Sequence, residues 1–135
     1  MDDEQPISFV GTTSSDDSTE KVIEFDESGT ITGAKVVTHR GQEYALRSYA
    51  TLIRNGSETP LWMPLDEAYL AGDGQTYDLP VRMDFEEDDK LVLRAENVNQ
   101  GGNEYHHNMT ISIDYEGVVE RYANRLKRRL SNDAR

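Results

Sequence analysis

The second half of the chain alternates. Leu79, Val81, Met83 and Phe85 are apolar, and Pro80, Arg82 and Asp84 stand between them. Leu91, Leu93 and Ala95 alternate with Val92, Arg94 and Glu96. Met109, Ile111, Ile113 and Tyr115 alternate with Thr110, Ser112 and Asp114. A period of two places one apolar and one wet face on each strand. The acidic run at 86–89 and the Asn/Gly-rich run at 99–103 turn the chain between these strands. The first half repeats the signal less cleanly. Strands are expected at 22–25, 30–40 and 44–54, with a hairpin turn at 26–29 and a second turn at Asn55-Gly56, the strongest short-range turn signal present. Residues 59–65 hold Pro60 and Pro64 around the single Trp62, so an edge strand or an ordered loop is expected there. Residues 7–10 read as a short strand and 12–18 as an exposed linker.

After Gly117 the period changes. Val119, Ala123, Leu126 and Leu130 fall at helical spacing, with basic residues over the remaining surface. The expected fold is all-β: an antiparallel two-sheet β-sandwich, jelly-roll-like, with a C-terminal α-helix. Residues 1–20 are read as an N-terminal lead with a possible short strand, 21–116 as the sandwich and 117–135 as a basic helix.

Charge divides the chain at the same place. The formal net charge is −12, from 26 acids and 14 bases. Residues 117–135 carry six bases against two acids, a net of +4, while residues 1–116 carry 24 acids against eight bases, a net of −16. Only four of the bases are lysines. Such a surface repels itself at low salt, and molar salt, with a Debye length of about 3 Å, screens that repulsion. Abundant Asp and Glu with scarce Lys is therefore read as adaptation to strong salt. There is no cysteine, which excludes disulfides and thiolate chemistry. No apolar run approaches the roughly 20 residues that span a bilayer, and the acidic N-terminus does not resemble a signal peptide.

No motif specifies a reaction. Asp66, Glu67, Asp73 and Asp78 crowd one stretch, but they lack the spacing of a calcium loop. His106 and His107 are adjacent and so point to opposite faces of a strand, and His39 is remote in sequence. No serine lies in Gly-x-Ser-x-Gly. A carboxylate pair remains a distant hydrolase candidate. No cofactor and no metal is called for, and the chain is read as not an enzyme. Nucleic acid is a poor fit, because the acidic body opposes phosphates. The candidate protein-interaction residues are Arg121, Arg125, Lys127, Arg128 and Arg129 of the basic segment, together with Trp62. The basic helix is expected to meet acidic surface, either on its own sandwich or on a neighbouring subunit. Trp62, with Tyr69 and Tyr77 near it, is also the basis of an alternative: a carbohydrate- or receptor-binding module.

From Trp62 to Tyr115 the chain resembles the small β-sandwich structural proteins of viruses that infect halophilic archaea. The resemblance rests on Leu79-Pro80-Val81-Arg82-Met83-Asp84-Phe85, on Asp89-Lys90-Leu91-Val92-Leu93-Arg94-Ala95-Glu96-Asn97, and on Met109-Thr110-Ile111-Ser112-Ile113-Asp114-Tyr115. It implies a virion component, such as a capsid accessory or decoration protein or a turret or tail subunit. Its partners would be protein subunits of the same assembly, including a major capsid or tail protein and further copies of itself. It would be made in the host cytoplasm without a membrane stage.

Overall fold

The computed structural model describes residues 4–65 and 67–115, and the regular structure of this span is β apart from one 3-10 turn, Met63–Leu65. Its strands are antiparallel and form two sheets. In the first, β1 (Glu4–Thr13) pairs with β9 (Tyr105–Tyr115), which pairs with β3 (Gly29–Val37). Two short strands, β6 (Thr76–Leu79) and β7 (Met83–Phe85), share the other edge of β3. In the second sheet the order is β2 (Asp17–Glu24), β8 (Lys90–Asn97), β4 (Leu46–Arg54) and β5 (Ser57–Pro60). The expected helix at 117–135 lies outside the described residues.

The apolar faces meet between the sheets. Leu91, Leu93 and Ala95 of β8 and Ile111 and Ile113 of β9 are completely buried, and Met109 nearly so. Leu46, Ala50 and Leu52 of β4 and Ile31, Ala34 and Val36 of β3 extend the same layer. The parity read from the alternation is the parity found. Strands that bury one face contribute about 25 cal/mol for each Å² of apolar surface removed from water.

Three local expectations are corrected. The stretch at 79–85 is two strands rather than one. Pro80 has no N–H for a ladder, and the Val81 N–H turns back to the Leu79 carbonyl at 2.9 Å. Val81 stays buried, so the alternation survives the break. The short strand at 7–10 is ten residues long, and the linker behind it shrinks to a turn in which Asp16 takes a left-handed conformation, φ 53°. The expected hairpin at 26–29 is not one: β2 and β3 belong to different sheets. Phe25 is buried and stacks on Phe85 with ring centres 3.7 Å apart. Its backbone exchanges hydrogen bonds with the turn before β8, from Phe25 N–H to the Asp89 carbonyl and from Asp88 N–H to the Phe25 carbonyl. The chain is thereby carried from one sheet to the other. Gly29 is needed at the landing point, because a Cβ there would lie 2.6 Å from the Phe85 ring and 2.7 Å from the Asp114 carbonyl.

The Asn55-Gly56 turn forms as read. Both residues have positive φ, 51° and 81°, the geometry of a tight hairpin between β4 and β5. Leu93→Ala should therefore destabilise the protein by about 2–5 kcal/mol, and Thr110→Ala, on the other parity, by well under 1 kcal/mol. Denaturant unfolding of the two variants checks the face assignment.

Candidate assembly surface

Trp62 is the clearest correction among the candidate residues. It is completely buried, and its indole N–H donates to the Ser48 carbonyl at 3.0 Å. The same carbonyl accepts from Leu70 N–H, and Leu61 N–H donates to the Ala50 carbonyl. The Pro-bracketed segment is thus pinned along β4 with its Trp as a core plug. Trp62 leaves no surface to a sugar or to another subunit. Arg121, Arg125, Lys127, Arg128 and Arg129 lie outside the described residues.

Tyr69 and Tyr77, near Trp62 in sequence, gather with Tyr44. Tyr44, Tyr69 and Tyr77 line a groove of about 480 Å³ with Leu65 and Glu67. Tyr44 and Glu43 hold left-handed backbone, φ 64° and 49°, a costly conformation outside glycine. Much of this aromatic surface is already committed. The Arg47 guanidinium sits 4.6 Å from the Tyr69 ring centre, and the Tyr77 hydroxyl donates to the Ala71 carbonyl. Arg47 and Arg94 both pair with Glu96, and Arg94 also covers Tyr49. These contacts weave the outer face of the second sheet, and burial, followed by the charge on Glu96, pushes the Tyr49 hydroxyl above its ordinary value.

Among the described residues no group of three or more His, Asp or Glu is placed to hold a metal. Asp89, from the acidic run at 86–89, is buried and takes Arg54 at 2.8 Å together with the N–H of Glu86. Burial raises its pKa, but Arg54 and that N–H outweigh burial and leave it below its ordinary value. The histidines separate by face as expected. His106 is exposed and meets His39 edge to face at 6.0 Å, a pairing invisible in sequence. His107 points inward, stacks on Phe9 at 4.3 Å and hydrogen-bonds through Nδ1 with Thr13 Oγ1 at 2.8 Å. Thr13 in turn bonds to Thr19 at 3.1 Å, so a polar thread joins β9, β1 and β2 at the edge of the sandwich.

That edge is the unusual surface. Among the described residues no strand pairs with the outer side of β1. Residues 5–15 contain no Asp, Glu, Lys or Arg, the longest such run in the chain. β1 carries charge only at its first residue, Glu4, whereas the other edge strands carry it at Asp17, Glu20, Lys21 and Glu24 on β2, Glu58 on β5, Asp78 on β6 and Asp84 on β7. Exposed edges are ordinarily blunted by charge. Here the protection comes from the neighbouring strand, because Lys21 Nζ reaches across to the Ser8 carbonyl at 3.1 Å. That bond shows that the backbone groups of Ser8 face the open side. N–H and C=O alternate in direction along a strand, so those of Val10 and Thr12 face it too, and so does the position of Pro6, where a missing N–H costs no bond to β9. Pro6, Ser8, Val10 and Thr12 are exposed, and Val10 is 64% accessible. Between β1 and β2 runs a groove of about 440 Å³, floored by Phe9 and His107. The sequence reading missed this edge. Its signal, the uncharged run, was available, but treating the segment as a lead hid its meaning.

No known family matches the chain, and no curated protein matches it in sequence. Among solved structures it is similar to a chain of the T13 IBDV viral particle, at 12% identity and a TM-score of 0.44, over 86% of this chain and 32% of that one. It is similar also to the infectious bursal disease virus VP2 subviral particle, at 10% identity and a TM-score of 0.43, over 85% and 34%. A third is the mitogen derived from Yersinia pseudotuberculosis, at 8% identity and a TM-score of 0.37, over 82% and 86%. The chain spans about a third of the length of the viral proteins it matches. Among the described residues no helix is long and apolar enough to cross a membrane.

Burial, and then the neighbouring His106, hold the His107 pKa below its ordinary value of 6.5. Above that value His107 is neutral both folded and unfolded and contributes no pH dependence. Below it the unfolded chain takes up a proton that the folded chain refuses, so stability falls with pH until the folded value is reached. The slope from this one group is at most about 1.4 kcal/mol per pH unit. His107→Gln should be less stable at neutral pH, having lost the stack on Phe9, and should lack this component of the acid slope. Thermal unfolding of both proteins between pH 7 and pH 5 measures it.

Proposed function

We propose that the chain is a non-enzymatic structural component of a halophilic virion, joined to its neighbours through the edges of its sandwich. The uncharged open edge at β1, on a body of net charge −16, is the observation that carries the assembly part of this reading. A strand edge with no charge along its length is a template on which another chain can pair. The virion part rests on the sequence resemblance of the strands at 79–115. The salt part rests on composition. The basic segment at 117–135 supplies a second contact of opposite sign, toward acidic surface on its own sandwich or on a neighbour.

A carbohydrate-binding reading keeps one supporting observation, the groove at Tyr44 and Tyr77. It has lost Trp62, and Arg47 covers one face of Tyr69. Under that reading Tyr44→Ala abolishes binding to immobilised glycans, whereas under the structural reading neither protein is retained.

The full chain should gain thermal stability between about 0.1 M and about 1 M salt, as the Debye length falls from about 10 Å to about 3 Å. Over the same range native mass should show it passing into a multimer. Val10→Lys places a strongly hydrated charge on the edge and should return it to monomer. A chain that is monomeric at every salt concentration counts against the assembly reading. Deleting 117–135 separates the second contact: a deleted protein that folds but no longer assembles marks the basic segment as an assembly element.

A further inference from the structure

We infer that the partner at this edge is a second copy of the same chain, with β1 pairing antiparallel to β1 of the partner about a two-fold axis at Val10, so that two five-stranded sheets run on as one. The inference rests on the assembly reading above and names its partner. Charge argues for a second copy. Two bodies that each carry −16 repel wherever their acids face one another, and β1 is the edge strand where residues 5–15 bring none. An antiparallel pair is also the arrangement in which one edge complements itself.

The register follows from the residues. The uncharged run 5–15 is centred on Val10. Pairing about that residue sets Val10 opposite Val10 of the partner subunit, and Ser8 opposite Thr12 of the partner subunit. The backbone groups of Ser8, Val10 and Thr12 are the ones that face outward, and about six interstrand N–H···O bonds then close. Pro6, which has no N–H to give, falls outside this set. A shift of one pair toward the N-terminus would set Pro6 opposite Thr12 and forfeit a donor at each end. Lys21 is displaced from the Ser8 carbonyl as the pair forms, so it acts as the guard of the single copy. Exposed Val10 from each copy then meets its equivalent on the outer face.

The chain has no cysteine, so cross-linking reads the register directly. Opposed residues of a hydrogen-bonded antiparallel pair have Cα atoms about 5.5 Å apart, inside the range of about 4.4–6.8 Å that a disulfide spans. At molar salt under mild oxidation, Val10→Cys should form a covalent dimer at least about tenfold faster than Val22→Cys, a comparably exposed control on β2, because only the first pair of thiols is held within reach. Ser8→Cys alone should not cross-link, since the two thiols lie about 13 Å apart along the strand. A mixture of Ser8→Cys and Thr12→Cys should. Amide exchange of the unsubstituted protein supplies an independent check: the N–H groups of Ser8, Val10 and Thr12 become protected in the multimer and not in the monomer. A multimer in which Val10→Cys reacts no faster than Val22→Cys, with those amides unprotected, overturns the β1 pairing and leaves the assembly reading standing on another surface. A chain that stays monomeric at every salt concentration overturns both.

Discussion

The apolar layer between β8 and β9 is the constraint on which the rest of the molecule depends. The chain has no disulfide, and among its described residues no cluster is placed to hold a metal. Its folded state therefore rests on burying one face of each sheet against the other. β8 and β9 are each flanked on both sides by partner strands, and their inward residues are the most completely buried. Because the side-chain period is two, a slip of one residue in either strand would exchange Leu91, Leu93, Ile111 and Ile113 for Val92, Arg94, Thr110 and Ser112. The registers of β1, β2, β3 and β4 are set directly against these two, and the short strands β5, β6 and β7 are set in turn against β4 and β3. β1 aligns along β9 from Glu4 opposite Asp114 to Thr13 opposite Tyr105, and β2 along β8 from Asp17 opposite Asn97 to Glu24 opposite Lys90.

The parts of the fold that were legible in the sequence are those decided by neighbours two residues apart. The faces of 83–85, 91–95 and 109–113 could be read because alternation is local. The turn at Asn55-Gly56 could be read because positive φ at both residues is a property of the pair. The parts that were not legible are decided across long sequence separations. Glu27-Ser28-Gly29 looks like a hairpin turn, yet the path of the chain there is set by the stack of Phe25 on Phe85 and by backbone bonds to Asp88 and Asp89, some sixty residues away. The same holds for Trp62, whose flanking prolines suggest an edge strand or an ordered loop. Its fate is decided by the Ser48 carbonyl and by the space beneath β4. β1 was legible only in its central residues, because Thr12 and Thr13 carry no apolar signal even though Thr13 is buried with His107.

The outer surface follows a different logic. On the second sheet arginines are paired with Glu96 and laid over Tyr49 and Tyr69. Those bases are absorbed by their own face, and Asp17, Glu20, Glu24 and Glu58 on the edge strands of that sheet are exposed. Such a surface holds water and counterions and resists association with copies of itself. Under the proposed assembly role, attraction has to be confined to limited regions. Two candidates stand out in the chain: the uncharged run at 5–15 and the basic run at 117–135.

These two regions respond to salt in opposite ways, and that opposition argues for a division of labour. Contact between the basic segment and acidic surface is strongest when ions are few, and screening weakens it. Pairing along an uncharged strand gains as salt rises, because the backbone bonds are little affected while the repulsion between the acidic bodies is screened. In molar salt the strand edge is the contact able to determine geometry, since a hydrogen-bonded ladder admits a discrete set of registers, whereas a cluster of charges tolerates many. The basic segment, flexible in what it can satisfy, is then suited to adding affinity to an arrangement that the strand has already chosen. Lys21 fits the same scheme: a single bond to the Ser8 carbonyl satisfies one acceptor of the lone edge, and a strand that offers an N–H in its place displaces it at little cost.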